Sequence, residues 1–99
     1  MMVYNLTEKL KFDEDPKLVI KNVELTIKSD AETVLKLMDI VQTKGEIAGA
    51  REAFAEMLSP ADLKKLNGLK LKMNDYTAAL SAALSLALGE DPDEEAPGE

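Results

Sequence analysis

Two residue types that carry much of enzyme chemistry are missing from this 99-residue sequence, which contains no cysteine and no histidine. The missing cysteine excludes disulfides and thiolate sites, and the missing histidine removes the usual general base and a common metal ligand. Aromatic residues are few, namely Tyr4, Phe12, Phe54 and Tyr76. A core must therefore be built from aliphatic side chains and methionine.

Long apolar runs are lacking as well. No run approaches the roughly 20 residues that a membrane-spanning helix needs. The start, MMVYNLTEKL, has no basic stretch followed by an apolar one, so no signal peptide is expected. A cytoplasmic location without membrane contact is the expectation. Hydrophobic residues make up 45% of the chain and charged residues 31%, which is typical of a folded domain.

The net charge of −7 is concentrated at the C-terminal end. Residues 90–99 hold six acidic side chains and no basic one, which leaves 13 acidic and 12 basic residues in 1–89. A nucleic-acid partner is not expected, because the sequence has no cationic patch. We expect 90–99 to be a disordered acidic tail that is dispensable for folding, because it lacks apolar side chains to pack.

Clusters of charged side chains offer candidate sites, but each fits a simpler interpretation better. The acidic stretches DEDP (13–16) and EDPDEE (90–95) lack the alternating ligands, glycine and closing glutamate of a calcium loop. A small basic group lies at Lys64, Lys65, Lys70 and Lys72. No glycine-rich phosphate loop accompanies it, so we interpret it as solvent-facing charge. No catalytic residue, metal ligand, cofactor or small-molecule substrate is predicted.

Alternation of apolar and polar residues predicts the β part of the fold, over about 3–28. Residues 3–12 alternate imperfectly, which predicts a first strand interrupted by Glu8. Two further strands are predicted at Leu18–Ile20 and Val23–Ile27. Between them, Lys21 and Asn22 predict a two-residue hairpin turn, because asparagine tolerates a positive φ.

Caps and helical spacing predict the helical part, over about 30–88. Ser29 is expected to be an N-cap with Glu32 as its reciprocal partner. Gly45 is expected to end or kink this first helix, and Gly49 to mark a close packing contact in the next. The apolar stripe of the first helix is predicted at Val34, Leu37, Met38 and Val41. The buried face of the second is predicted at Ile47, Ala50, Phe54 and Met57.

Two further helices follow. Ser59 as N-cap, Pro60 at the first position and Asp62 as reciprocal partner predict a short helix over 60–66, stopped by Asn67-Gly68. Residues 69–73 are expected to form an extended bridge. Its apolar side chains are expected to point toward the core at Leu69, Leu71 and Met73. Asn74 is expected to cap a last helix over 75–88, which ends at Gly89.

The last helix is apolar over more than one face, and its polar residues carry no charge. Two interpretations stay open: a central core helix, or an exposed strip for self-association or partner binding. Leu80 and Leu84 are predicted to be buried. The candidate partner-binding surface consists of Ala78, Ala82, Ser85 and Leu86.

These elements predict one α+β domain over 1–89. A short antiparallel hairpin or small sheet is followed by a compact bundle of three to four helices, and the acidic tail occupies 90–99. A chain without histidine, cysteine, metal-ligand spacing or a phosphate loop is expected to act by binding. The client it suits is apolar and helical, because the predicted helices carry apolar surface that contains alanine and methionine.

The order of elements resembles the tail assembly chaperones of long-tailed bacteriophages and of prophages in Gram-positive bacteria. The matching parts are the hairpin LVIKNVELTI, the capped helix SDAETVLKLMDIV, the later LSPADLKKLNGL, the pair Asp75-Tyr76 before the last helix, and the short acidic end. The resemblance covers most of residues 18–95. It lies in the layout of the elements along the chain.

The resemblance implies a non-catalytic function in tail assembly, without a cofactor. Such proteins bind the tape measure protein while the tail is built, with tail tube subunits as a further candidate client, and they are absent from the finished virion. Many also have a longer form made by ribosomal frameshifting. A small acidic adaptor or regulatory module and a minor structural protein of the tail stay open as alternatives, as does a homo-oligomer.

Overall fold

A computed structural model describes residues 2–11 and 13–91 of the chain. The elements within them are a 3₁₀ helix (Thr7–Lys9), β1 (Lys17–Ile20), β2 (Val23–Thr26), α1 (Ala31–Ala48), α2 (Ala50–Met57), α3 (Pro60–Gly68) and α4 (Met73–Ala87). The predicted α+β fold, a hairpin followed by helices, is confirmed. Most of the predicted tail, 92–99, lies outside the described residues.

The hairpin forms where the alternation predicted it. β1 and β2 are antiparallel, with Leu18 opposite Leu25 and Ile20 opposite Val23. The left-handed turn residue is Lys21, at φ 57°, and not the asparagine that follows it. Two-residue hairpin turns require a positive φ at their first central position. The strand register places Lys21 at this first central position, so a lysine adopts the positive φ.

The strand predicted over 3–12 is wrong for the described residues of that segment. Thr7–Lys9 form a 3₁₀ turn instead, and the Thr7 N–H donates to the side-chain oxygen of Asn5 at 3.0 Å. Val3 and Tyr4 are 81% and 70% exposed. The sheet consists of β1 and β2, so this segment has no neighbouring strand to pair its backbone groups, which a strand requires.

α1 is capped by Asp30 and not by the predicted Ser29. The Asp30 carboxylate accepts the hydroxyl of Thr33 at 2.7 Å and its N–H at 3.2 Å. These bonds favour the ionised carboxylate and hold the pKa of Asp30 below its ordinary value. Ser29 instead donates its N–H and its hydroxyl to the carboxylate of Asp15. The start of α1 is thereby tied to the segment that precedes β1.

Two glycines turn the chain from α1 into α2. Gly45 lies at φ 83°, ψ 167°, which breaks the helix there, as predicted. Glycine adopts this conformation without a steric cost. At Gly49, a Cβ would lie 2.7 Å from Cγ2 of Ile40 and 2.8 Å from the carbonyl oxygen of Gly45. The predicted close contact at Gly49 is therefore confirmed. Lys44 and Glu52 form an ion pair across the turn.

The core lies between the hairpin, α2 and one face of α4. α2 buries Phe54 and Met57, and the Phe54 ring packs edge-on against Tyr76 with ring centres 5.1 Å apart. Ile47 is 69% exposed, so its predicted place on the buried face is wrong. The break at Gly45 and the turn at Gly49 separate it from the helical phase of α2. The other fully buried large side chains are Leu25, Ile27, Leu58, Leu66 and Leu80.

The corner between α2 and α3 holds the outer edge of β2. The hydroxyl of Ser59 caps α3 by accepting the Asp62 N–H at 3.2 Å, as predicted. The Asp62 carboxylate does not return this bond but accepts the Thr26 N–H on β2 at 3.0 Å. Further along the same edge, the Lys28 N–H donates to the carbonyl of Met57 at 2.9 Å. The hairpin is thus fixed to the helices by backbone donors.

The bridge between α3 and α4 is only partly as predicted. α3 continues to Gly68, two residues beyond the predicted end, and the left-handed residue is Lys70 at φ 56°. Leu69 and Leu71 pack against the core, as expected. Met73 is 54% exposed, because it opens α4 and does not end an extended strand.

α4 begins two residues earlier than predicted and ends at Ala87, one residue before the predicted end, with Gly89 just beyond its C-cap. Lys72 occupies the N-cap position, so the predicted cap Asn74 lies inside the first turn. At the other end, the Gly89 N–H bonds to the carbonyl of Leu86 and the Glu90 N–H to that of Ser85. These are the two bonds of a Schellman motif. The cap therefore extends one residue into the predicted tail segment.

Replacing Asp62 by alanine should leave the Thr26 N–H without its acceptor. The Asp62 side chain is only 14% exposed, and losing the acceptor of a part-buried donor costs about 1–3 kcal/mol. We expect the free energy of unfolding in urea to fall by that amount. Asp62→Asn keeps an acceptor oxygen and should retain most of the stability. Lys65→Ala removes only the exposed partner of Asp62, so an equal loss in Lys65→Ala would contradict this account.

Replacing Gly49 by alanine should destabilise the fold by about 1–3 kcal/mol, as overpacking does. Its Cβ would meet the Gly45 carbonyl oxygen at 2.8 Å, and that backbone atom cannot move aside easily. Gly68→Ala is the control, because no atom lies within 4 Å of its Cβ position. Thermal unfolding should show a lowered midpoint for Gly49→Ala and an unchanged or raised one for Gly68→Ala. Equal midpoints would show that the turn tolerates a side chain.

Candidate functional site

An open apolar groove runs between α1 and α4, and we call it the α1–α4 groove. Both walls place their residues at the spacing i, i+3, i+4, i+7, which keeps each set on one helix face. The α1 wall is Val34, Leu37, Met38 and Val41, extended by Gln42 and Glu46, and the α4 wall is Ser81, Leu84, Ser85 and Leu88.

The α1 wall is the stripe that the sequence predicted as core. Only Leu37 is fully buried, whereas Val34 and Val41 are half-buried and Met38 is 54% exposed. The reason is the position of α4, whose backbone approaches α2 and β1 most closely and not α1. The stripe of α1 therefore lines a groove that remains open to solvent.

α4 combines the two interpretations that its sequence left open. One face is in the core, with Leu80 only 2% exposed. The neighbouring face lines the groove, with Leu84 half-buried and Leu88 53% exposed. The predicted burial is therefore confirmed for Leu80, while Leu84 is only partly covered. The other buried residues of α4 are Ala79, Ala83 and Ala87.

The four residues predicted as a partner-binding surface do not lie together in the groove. Ser85 is in it. Ala78 is exposed and Ala82 half-buried, and neither lines the groove. Leu86 packs against the core. The sequence did contain a signal for the α4 wall, because its two serines alternate with leucines at the same spacing as the α1 stripe.

The groove carries little charge. Glu46 is the only charged side chain among the ten described residues that line it, and the neutral polar atoms come from Gln42, Ser81 and Ser85. Its volume of about 360 Å³ is at the small end of ligand sites. Half of its lining residues are exposed, namely Met38, Gln42, Glu46, Ser81 and Leu88, so a small molecule would remain partly in contact with solvent. A protein segment that lies along the groove fits this shape better.

The charged surfaces of the described chain are not organised into a site comparable to the groove. Lys64, Lys65, Lys70 and Lys72 are exposed, as interpreted from the sequence, and Lys65 pairs with Asp62 at 3.6 Å. Near α2, burial raises the pKa of Tyr76, although the nearby charge of Arg51 opposes the shift. Residues 2–11 and 13–91 contain no group of three or more acidic, histidine or cysteine residues that could hold a metal ion.

The helices of the same described ranges differ from membrane-spanning helices. None of these helices combines the length and the apolar composition that a membrane span requires. α4, the most apolar of them by composition, has 15 residues.

Alanine substitutions at Leu80 and Leu84 should separate the core face of α4 from its groove face. Leu80→Ala should cost about 2–5 kcal/mol, as truncations of buried leucines do. Leu84→Ala should cost clearly less, because part of its side chain is already in water and less burial is lost. Unfolding in urea measures both values. Equal losses would mean that the groove face is core and that the groove is closed in solution.

Comparison of the chain with protein-family models, with curated proteins and with solved structures finds no match. The functional interpretation therefore depends on the groove and on the layout of the sequence.

Proposed function

We propose that this chain is a non-catalytic phage tail assembly chaperone whose client is the tape measure protein of its own phage or prophage. Tail tube subunits are a second candidate client. The chaperone acts in the cytoplasm of the bacterial host and is absent from the mature virion. The observation that supports the proposal is the α1–α4 groove, which adds an apolar docking site to the resemblance in layout.

The groove suits an amphipathic helix. Helix-in-groove recognition places an apolar helix face, with anchors at i, i+3, i+4 and i+7, between apolar walls. Val34 and Val41 are seven residues apart on α1, and Ser81 and Leu88 are seven residues apart on α4, so each wall is about 10 Å long. A client helix of about two turns matches that length. Met38 exposes a flexible side chain at the groove surface, and such side chains adapt to different apolar partners.

The low charge of the groove indicates which type of contact would bind a client. Apolar contact is expected to dominate, since Glu46 is the one charge among the described lining residues. Some transient complexes have small interfaces, below about 1,200 Å². A chaperone must release its client when the client assembles, so a short apolar interface is appropriate.

Co-expression with the tape measure protein of the same phage or prophage tests the proposal. Wild-type chain should raise the soluble yield of the client and co-purify with it. The complex should also persist at 1 M salt, where the Debye length falls to about 3 Å and exposed ion pairs are screened. Failure of the wild-type chain to bind would remove the chaperone assignment.

Charged substitutions test where the client binds. Leu84→Asp and Met38→Asp place a carboxylate in the groove, and burying that charge should weaken binding by on the order of tenfold or more. Ala78→Asp is the matched control, on the same helix, exposed and outside the groove. Circular dichroism should show that all three variants keep their helices. Equal losses for Ala78→Asp and Leu84→Asp would mean that the contact is not confined to the groove and includes the exposed side of α4 at Ala78.

A further inference from the structure

The N-terminal arm, defined as residues 2–11, is a second apolar element without cover. Val3, Leu6 and Leu10 recur at i, i+3 and i+7, which would place them on one face if the arm were helical. One helical turn already exists there, at Thr7–Lys9. The exposed large side chains of the arm are Met2 (97%), Val3 (81%), Tyr4 (70%), Leu6 (46%) and Leu10 (48%).

The arm leaves the body at one end of the α1–α4 groove. Asp15, just beyond the arm, accepts two hydrogen bonds from Ser29, which directly precedes the α1 cap. Lys11 and Leu88 line the same depression beside the last turn of α4, and Leu88 is also part of the groove. The root of the arm is therefore fixed beside the mouth of the groove.

The single chain does not place its arm in its own groove. No residue of 2–11 lines the groove, and the apolar side chains of the arm stay between 46% and 97% exposed although its root lies close by. Each copy thus carries both an uncovered apolar segment and an uncovered apolar groove. A two-fold symmetric pair can cover both the arm and the groove of each copy, because a symmetric dimer makes the same contact twice.

The number of residues available reaches the lower limit of a standard protein interface. The arm has ten residues, and ten residues line the groove. At most about 20 residues of each copy are therefore available, against roughly 20–30 residues a side in an interface of standard size. The arm also reaches far enough, since ten residues span about 15 Å as a helix and about 33 Å when extended, against about 10 Å of groove wall on each helix.

We propose that two copies of this chain exchange N-terminal arms, with residues 2–11 of each copy docked in the α1–α4 groove of the other. Val3, Leu6 and Leu10 then face the groove walls. An arm and a client helix would compete for the groove, and this consequence alone rests on the proposed function. Dimer formation itself needs no client.

The absence of cysteine from the chain makes cross-linking a clean test. A tagged Leu6→Cys variant is mixed with an untagged Ser85→Cys variant and oxidised, so that a bond between Cys at 6 and Cys at 85 can form only between copies. We expect this heterodimer to be the main product. Lys64→Cys, exposed on α3 and outside the groove, replaces Ser85→Cys in the control and should give little product.

Sedimentation equilibrium supplies the second measurement. The wild-type chain and Ala78→Asp should be dimers, whereas Leu6→Asp in the arm and Leu84→Asp in the groove should each be monomers. Mixing the two monomeric variants should restore a heterodimer, because Leu84→Asp still provides an arm and Leu6→Asp still provides a groove. This restoration also excludes misfolding as the cause of the lost dimer.

Several results would overturn the exchange. One is a monomeric wild-type chain at the concentrations used for cross-linking. Another is a Leu6→Cys, Ser85→Cys double variant that closes its disulfide within one copy, which would place the arm in its own groove. A third is a Leu6→Asp variant that remains dimeric. None of these experiments contains a tape measure protein. A negative result would therefore overturn the arm exchange but would not test the chaperone proposal.

Discussion

The turn from α1 to α2 is the constraint on which the rest of the structure depends. Gly45 breaks the helix with a positive φ, and Gly49 brings its backbone against Ile40 where no side chain would fit. The chain then enters α2, whose Phe54 and Met57 fill the centre of the core. Because α4 packs on α2 and β1, the apolar face of α1 is only partly covered. The groove follows from this placement and not from a special sequence motif.

Polar bonds between distant segments orient elements that are too short to be stable alone. Asp62 in the first turn of α3 holds the edge of β2 through the Thr26 N–H, and Asp15 holds Ser29 at the start of α1. A helix of nine residues and a hairpin of two four-residue strands are marginal by themselves. These bonds fix their directions, while burial of Leu25 supplies the apolar contact.

Local signals predicted the hairpin, the Ser59 cap and the helix end at Gly89, because each depends on a few neighbouring residues. Ser29 and Asp30 are both good caps, and the choice between them depends on Asp15, which is distant in sequence. The groove could not be separated from a core stripe, since Val34, Leu37, Met38 and Val41 would have the same spacing in either case. Only the direction of α4 decides whether such a stripe is covered.

Methionine methyl groups allow the most direct test of the open groove, because the described methionines sample four environments. Met57 is in the core, Met38 in the groove, Met73 on the surface and Met2 in the arm. Methyl NMR with a soluble paramagnetic agent measures the solvent contact of each. In dilute samples, Met38 should be broadened like Met73 while Met57 is protected. At high concentration, Met38 and Met2 should become protected together, with Met73 unchanged. A Met38 methyl as protected as that of Met57 at every concentration would contradict the account, because the groove would then be part of a closed core.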